Sequence, residues 1–250
     1  MRFLVAQLFR FAWAEVRACA FAGALFGGLA VSAVAPLPVP RYDALLVYAV
    51  TLTVVFRVLR WETETGTIAG FHLVGLVFEI VKVRLGSWSY PEEAYTKVLG
   101  VPLYSGFLYA AVGGYVCAAW RILALRVVNY RAVPLTFVAV AVYVNFVTHH
   151  WWVDLRVPLA ILLVIVTWGT TVHFTVGVHR HRMPLSLGFF LTGFFLWLAE
   201  NIATYFGAWV YPHQREAWRL VHADKIGAWA LLVSVTFVIV AAVKGRQRLV

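Results

Sequence analysis

The chain is organised around a segment that occurs twice: residues 79–91 read EIVKVRLGSWSYP, and residues 200–212 read ENIATYFGAWVYP. Five residue types match without a gap, at a constant spacing of 121 positions. The matching pairs are Glu79 and Glu200, Gly86 and Gly207, Trp88 and Trp209, Tyr90 and Tyr211, and Pro91 and Pro212. Each copy predicts a carboxylate on an apolar helix, a glycine seven residues later that ends the helix, and then an aromatic turn.

The composition is typical of an integral membrane protein. Of the 250 residues, 62% are hydrophobic, and the mean hydropathy is +0.82, whereas a soluble domain is about half apolar. Apolar runs long enough to cross a bilayer recur from end to end. Because these runs are continuous rather than alternating, they predict helices. The predicted fold class is all-α, a polytopic transmembrane helix bundle.

Eight membrane spans are predicted in a single transmembrane domain that covers residues 1–250. They cover residues 15–35, 43–60, 67–85, 103–124, 134–149, 157–178, 185–206 and 226–243. The offset of 121 residues moves the third span onto the seventh and the second onto the sixth. A shift of four spans keeps orientation, so residues 15–124 and 134–243 are predicted to be parallel pseudo-repeats about an axis along the membrane normal.

The net charge of +10 predicts an orientation rather than a nucleic-acid partner. The basic residues cluster at the ends of apolar runs, as they do on cytoplasmic loops, and their distribution predicts that both termini are cytoplasmic. The sequence has no Lys/Arg block, zinc-finger spacing or aromatic-basic stripe, so no nucleic acid is expected as a partner. The expected partners are the lipid bilayer and a hydrophobic small molecule, and the sequence leaves the oligomeric state open.

The N-terminus has two interpretations. Residues 1–36 resemble a signal peptide, and Ala33–Ala35 resembles a cleavage site. However, Arg10, Glu15 and Arg17 make the charged region unusually long for such a peptide. We therefore favour an uncleaved first span that is preceded by an amphipathic segment on the membrane surface.

Glu79 and Glu200 are the leading catalytic candidates. Seven residues of helix put each carboxylate about 10 Å below its helix end, inside the hydrocarbon layer, where ionisable groups are rare and functional. Two carboxylates that approach closely cannot both ionise, so one is expected to keep a proton. Lys82 follows Glu79 by one turn, whereas Ala203 takes that place after Glu200, so Glu200 is predicted to be the acid and Glu79 the anion. The alternative is structural, with each Glu only tying its helix to a neighbour.

Two histidines and an asparagine extend the catalytic set. His72 lies seven residues before Glu79 on the same helical face, where it is placed to relay a proton or bind substrate. A buried histidine bonded to a backbone carbonyl is the alternative, and a pair of His72 with His173 of the sixth span is conceivable. Asn145 and His149 share a helix face at a spacing of four residues and are predicted to orient water or substrate.

A metal site is the less favoured interpretation of the segment that follows Asn145. His149, His150 and Asp154 are residue types that bind metals, but adjacent histidines point about 100° apart on a helix. The favoured interpretation is a polar lining at the outer mouth, with Trp151 and Trp152 as interfacial anchors. No nucleotide or diphosphate motif is present in the sequence, and neither a metal nor a cofactor is predicted.

The aromatic residues of the two turns are candidates for substrate binding. They are Trp88, Tyr90, Trp209 and Tyr211, together with Asn201 beside Glu200. Ordinary interfacial aromatics are the alternative, but the fixed distance from each Glu favours lid loops over a site. Residues 179–182, HRHR, resemble a metal or phosphate patch, and a cation-rich cytoplasmic loop is the favoured explanation.

The chain resembles a bacterial integral-membrane family of unknown function, number 817 in the domain-of-unknown-function series. The resemblance runs from about Arg41 to Val243, through HLVGLVFEIVKVRLGSWSYPEEA, GVPLYSGFLYAAVGGYV, YVNFVTHHWWVDLR and ENIATYFGAWVYP. It implies a multi-pass protein of the bacterial plasma membrane and carries no established activity.

Residues 72–110 are also similar to the membrane carotenoid hydratases, which add water to an isoprenoid end. That likeness implies roles for Glu79 and for the turn at residues 100–103, GVPL. His149, His150 and the second aromatic turn depart from the hydratase pattern, which leaves the substrate open.

Three functions are consistent with these features. The leading hypothesis is a membrane-embedded enzyme that acts on an isoprenoid or lipid by acid/base chemistry of Glu79 and Glu200. The second is a proton-coupled transporter of a small solute, since parallel halves with one acid each suit a carrier. The third is a metal-dependent lipid hydrolase that uses His149, His150 and Asp154.

Overall fold

A computed structural model describes residues 2–61 and 65–244, and within these ranges the chain is mostly helical. The helices are α1 (Arg2–Ala18), α2 (Ala20–Val34), α3 (Arg41–Val58), α4 (Thr65–Arg84), α5 (Gly106–Ile122), α6 (Ala132–Thr148), α7 (Arg156–Val166), α8 (Leu185–Tyr205) and α9 (Lys225–Lys244). The strands are β1 (Lys97–Val98), β2 (Val101–Pro102), β3 (Arg126–Val128), β4 (Thr171–Val176) and β5 (His179–Pro184). Short 3₁₀ turns cover Leu103–Ser105 and Pro212–Gln214.

Four helices are long and apolar enough to cross a membrane: α4, α5 with the 3₁₀ turn before it, α8 and α9. α1 and α2 make a fifth candidate if they are taken as one bent span. α6 and α7 are apolar but have 17 and 11 residues, about 26 and 17 Å, which is less than the roughly 30 Å of a hydrocarbon core. The described residues therefore contain four to five candidate spans, fewer than the eight predicted from sequence.

The predicted sixth span is helical only in its first half. α7 ends at Val166, and residues 171–176 form β4, which pairs antiparallel with β3 and β5 in one sheet. Hydropathy does not distinguish a buried strand from a buried helix, and the β-branched residues of TTVHFTV favour the strand. A helix through residues 157–178 is therefore wrong after Val166, the fold is mostly rather than wholly helical, and His173 lies on a strand.

The predicted first span is divided as well. α1 ends at Ala18 and α2 begins at Ala20. α1 exposes large apolar side chains, among them Phe9 and Trp13. Such an exposed face is what a helix on a membrane surface requires, and that location stays a prediction.

The chain divides into two compact units. Unit 1 is drawn from residues 1–19, 115–197 and 223–250, and unit 2 from residues 20–114 and 198–222. Buried residues at the core of unit 1 include Ala18, Ala118, Ala119, Leu123 and Val176. Those of unit 2 include Leu29, Tyr42, Leu45, Tyr90, Val101, Tyr104, Ala203 and Ala208. Both copies of the repeated segment thus belong to unit 2, while the predicted single domain and its two halves stay predictions.

Candidate functional site

The two motif segments end their helices in the same way. Gly86 and Gly207 have φ angles of +70° and +68°, a left-handed conformation that glycine adopts readily. In both segments the glycine N–H bonds a carbonyl three residues earlier, and the next N–H bonds one five residues earlier, as in a Schellman motif. These bonds join Gly86 to Val83, Ser87 to Lys82, Gly207 to Thr204 and Ala208 to Ala203, at 2.9–3.0 Å.

The two turns are directly hydrogen-bonded to each other. Ser89 and Val210 form an antiparallel bridge, in which each N–H donates to the other's carbonyl at 2.9 Å. These residues are 121 positions apart, so they are equivalent positions of the two segments. Reciprocal bonds between equivalent residues are what a local two-fold axis produces. The bridge therefore holds the two aromatic turns side by side, each after the C-terminal end of its helix.

Glu79 is buried and accepts three neutral donors. Its side chain is on α4 and the residue is 4% exposed. Oε2 accepts from the Trp88 indole Nε1 and the Tyr90 hydroxyl, each at 2.7 Å, and Oε1 accepts from the Tyr109 hydroxyl of α5 at 2.7 Å. An indole N–H can only donate, so Oε2 acts as an acceptor.

Glu200 occupies the equivalent place on α8 and is also 4% exposed. The Tyr211 hydroxyl donates to its Oε1 at 2.5 Å, which corresponds to the bond from Tyr90 to Glu79. Trp209 differs from its equivalent Trp88, because its side chain hydrogen-bonds to Tyr211. The two copies thus share the tyrosine–glutamate pair and differ in the tryptophan.

The two glutamates lie in one unit and near enough to interact electrostatically. The Trp88 ring of the first segment packs edge-on against the Tyr211 ring of the second, with centroids 5.9 Å apart. Each acid therefore accepts from the tyrosine of its own turn, and this ring contact joins the two turns. Trp88 and Tyr90 thus contact Glu79, Tyr211 contacts Glu200, and Trp209 contacts Tyr211.

The tyrosine hydroxyls of the turns remain protonated donors. Burial and the nearby Glu79 raise the pKa of Tyr90 well above its ordinary value. Burial and the adjacent Glu200 do the same for the pKa of Tyr211. Both side chains consequently offer an O–H to the carboxylates across the physiological pH range.

Two cationic side chains, Arg41 and Lys97, bind backbone carbonyls of the two turns. The Arg41 guanidinium donates to the carbonyls of Phe206 and Gly207 at the end of α8 and forms an ion pair with Glu92 at 2.9 Å. A cation near a helix C-terminus is favourable because it faces the negative end of the helix dipole. In the first segment, the Lys97 ammonium donates to the carbonyls of Tyr90 and Glu92 at 2.9 and 3.0 Å.

His72 and Asn201 belong to the same unit, and their environments are specific. The His72 ring packs against Phe107 with centroids 4.4 Å apart, and its buried Nδ1 has no hydrogen-bond partner among the described residues. Gly106 leaves room for this ring, since a Cβ there would lie 2.6 Å from Nδ1. Asn201 accepts the Val221 N–H at 2.8 Å. The catalytic role of His72 and the binding role of Asn201 stay predictions.

Asn145 and His149 lie in unit 1 and bind their own turn. The Asn145 amide donates to the Val153 carbonyl at 3.0 Å and accepts the Leu155 N–H at 3.2 Å. His149 Nδ1 lies 3.1 Å from the Asn145 carbonyl. These contacts hold the turn after α6, and the predicted roles of both side chains in orienting water or substrate are untested.

The alternative metal site is not assembled. Asp154 is bound by Arg156, with Nη2 and Oδ2 2.7 Å apart, and this hydrogen bonding lowers the pKa of Asp154 to about 2. The rings of His149 and His150 are tilted against each other, with centroids 4.2 Å apart. Within residues 2–61 and 65–244, no group of three or more His, Cys, Asp or Glu side chains is arranged to hold a metal ion.

Sequence reasoning missed Tyr109 and Arg41. Tyr109 is 30 positions from Glu79 on another helix, and its only signal is a hydroxyl within the apolar run GFLYAAVGGYV. Gly75 provides the space for it, because a Cβ there would lie 2.6 Å from the Tyr109 ring. Arg41 is 165 positions from Phe206, and its only signal is a cation beside an apolar run.

Comparison with known proteins gives a family without an activity. A family described as "Protein of unknown function (DUF817)" matches residues 7–237. The "Uncharacterized protein YoaT" of Bacillus subtilis (strain 168) is 49% identical over 247 residues, which cover 96% of this chain and 92% of that protein. No solved structure matches. The weaker likeness to carotenoid hydratases finds no counterpart in these comparisons.

Proposed function

The chain belongs to the DUF817 family, and from its site we propose an integral membrane enzyme whose Glu79 and Glu200 perform acid/base chemistry on a hydrophobic substrate. The proposed substrate class is an isoprenoid or another lipid, which reaches the acids through the bilayer. The observation that carries this proposal is the pair of buried, tyrosine-bound carboxylates on two candidate spans. Ionisable side chains at such depth are costly, and they are retained where they function.

The two acids take different roles in this proposal. Three neutral donors match a carboxylate that can only accept, so Glu79 is the anion and takes a proton from water or substrate. Glu200 holds the proton and gives it to the substrate. After one turnover, the proton gained by Glu79 passes to Glu200, which restores both groups and leaves no net proton consumed. Carboxylates with unlike environments commonly divide acid and base roles in this way.

The test compares membrane lipids in strains that carry the wild-type gene, no gene, E79Q or E200Q. Untargeted mass spectrometry should find a lipid whose mass changes only when the wild-type protein is present. Each Gln variant should lose the change while remaining in the membrane at the wild-type level. A change that persists in both variants would refute the acid/base proposal, and loss of both proteins from the membrane would assign the glutamates a structural role.

A proton-coupled carrier is the second candidate, and the reciprocal bridge between the equivalent residues Ser89 and Val210 supports it. Equivalent acids on two parallel halves suit a carrier that rocks around a central site. In proteoliposomes, a carrier would take up protons together with an added solute, and E79Q or E200Q would abolish the uptake. An enzyme would change its substrate in sealed and leaky vesicles alike.

The membrane arrangement that accompanies this function is the one expected from sequence. It has eight spans in two parallel pseudo-repeats, with both termini in the cytoplasm of a bacterial cell and the aromatic turns outside. The shared geometry of the two motif segments supports the pseudo-repeat. The short helices α6 and α7 would then be spans that cross only part of the bilayer or complete their crossing with non-helical residues.

A further inference from the structure

A row of basic side chains crosses the three-stranded sheet of unit 1. Arg126 of β3 lies opposite His173 of β4, and His173 lies opposite Arg182 of β5. Residues directly opposite one another in antiparallel strands point to the same face, and neighbouring strands are roughly 4.8 Å apart. Arg180, two residues from Arg182, lies on this face as well, opposite Thr175.

This basic face is the open face of the sheet. Arg126, Arg180 and Arg182 are exposed. The alternate residues point to the other face, where Val127, Val172 and Val176 are buried. α1 covers that other face, since Phe11 of α1 packs against Phe174 with ring centroids 5.7 Å apart.

The charges on the open face are not neutralised by the described protein. Within residues 2–61 and 65–244, no ion pair includes Arg126, Arg180 or Arg182. The described acids of unit 1 are Glu15, Asp154 and Asp224; Glu15 bonds Tyr115. Arg126 and Arg182 lie on the same face two strands apart, roughly 10 Å, so an external anion between them would reduce their mutual repulsion.

The side chains on this face have the chemistry that binds phosphate. A guanidinium offers a planar pair of N–H donors that fits two phosphate oxygens. Thr171, whose Oγ1 lies 3.2 Å from His173 Nε2, and Thr175 add hydroxyl groups beside the row. Two guanidinium groups with histidine between them therefore favour a phosphate over a carboxylate.

The row lies close to the ends of two candidate membrane spans. Arg182 precedes Leu185, the first residue of α8, by three positions, and Arg126 follows Ile122, the last residue of α5, by four. Three extended residues span at most about 10 Å. α5 and α8 are candidate spans, and the headgroup layer begins where the apolar core ends and is roughly 5–8 Å deep.

We propose that the open face of the β3–β4–β5 sheet binds the phosphate groups of anionic phospholipids. This inference rests on the membrane location proposed above and not on the chemistry of Glu79 and Glu200. Basic residues next to a membrane strengthen binding to anionic lipid by about five-fold each. Removal of two arginines should therefore weaken the preference for anionic over neutral lipid by roughly 25-fold.

The test titrates the full chain in detergent micelles with phosphatidylglycerol or phosphatidylcholine of the same acyl chains, with inorganic phosphate as a soluble probe. Wild type should prefer phosphatidylglycerol, and the double variant R126Q/R182Q should lose most of that preference. R215Q is the matched control, since Arg215 is an exposed arginine outside the sheet, and it should keep the preference. The double variant should fold, because it removes only exposed like charges, and its unfolding temperature checks this.

Three results would overturn the inference. They are equal binding of both lipids by the wild type, an unchanged preference in R126Q/R182Q, and binding of inorganic phosphate at the sheet without any lipid preference. Each would leave the proposed acid/base function standing, because that function requires only a bilayer. Absence of the protein from the membrane would instead refute both proposals.

Discussion

Tyr109 makes a testable contribution to the acid pair. Its hydroxyl donates to Glu79 Oε1, so Y109F leaves a buried carboxylate oxygen without that donor. An unsatisfied buried acceptor costs about 1–3 kcal/mol. We expect Y109F to lower the free energy of unfolding by this amount and to reduce the proposed activity, as measured by thermal unfolding and lipid profiling.

Tyr48 supplies the control for this variant. Its hydroxyl donates to the Ala24 carbonyl at 2.7 Å, and this carbonyl lies inside α2, where the helix backbone already supplies it with a donor. Y48F should therefore cost well under 1 kcal/mol and leave the activity unchanged. Equal losses of stability in Y48F and Y109F would contradict the importance assigned to the Glu79 contact.

At the scale of residues, the sequence identifies the site residues that lie within the two repeated segments and few of those outside them. Glu79, Glu200 and their tyrosines could be identified because each tyrosine follows its Glu by a fixed 11 positions, and both copies form the same bond. Tyr109 and Arg41 could not, since their contacts depend on how distant helices pack. Asn145 was recognised as a polar residue, but its contacts with Val153 and Leu155 follow from the local path of the chain.

At the scale of elements, the glycine turns govern the position of the acids. An L-residue in the left-handed conformation costs roughly 1–2 kcal/mol. A Cβ at Gly86 would meet no atom within 4 Å, whereas one at Gly207 would lie 3.3 Å from Arg41 Nη1. We expect G86A to lose stability by the backbone cost alone and G207A to lose more, as measured by thermal unfolding.

Gly70 is the matched control for these turns. It lies within α4, and a Cβ there would meet no atom within 4 Å. Alanine is favoured over glycine inside a helix by up to about 1 kcal/mol, so G70A should be neutral or stabilising. If G207A were as stable as G70A, the Arg41 contact and the left-handed turn would not hold the site.

Helix ends were more predictable than helix identity. The glycine signals located the ends of α4 and α8 to within one or two residues, because a left-handed residue stops a helix through local geometry. Hydropathy failed at β4, since apolar β-branched residues suit a strand as well as a helix. The strand is determined by pairing with β3, which ends 43 positions before β4 begins, and with β5, which begins 3 positions after β4 ends.

At the scale of the whole molecule, the sequence predicted a mostly helical chain with several candidate membrane spans, and the number eight stays a prediction. Continuous apolar runs identify helices, but length decides whether a helix crosses the bilayer, and α6 and α7 are short. The placement of both motif segments in unit 2 also lay beyond sequence reasoning, because it depends on contacts between residues more than 100 positions apart.

Topology mapping tests the proposed arrangement. Glu93 and Tyr95 are exposed and follow the first aromatic turn. A single cysteine at either position should react with an impermeant thiol reagent added to intact cells. Cysteines placed in the exposed hairpin turn at Val178 should react only after the cells are opened. Labelling of both regions from the same side would contradict the eight-span arrangement, and the exposed Cys19 has to be replaced first.

The central claim is that Glu79 and Glu200 share one proton, which resides on Glu200. Infrared difference spectroscopy of the protein in nanodiscs at neutral pH measures this directly, because a protonated carboxyl group has a C=O band distinct from that of a carboxylate. We predict a protonated-carboxyl band in the wild type that is absent in E200Q and retained in E79Q. A band that disappears in E79Q but survives in E200Q, or no such band in the wild type, would contradict the account.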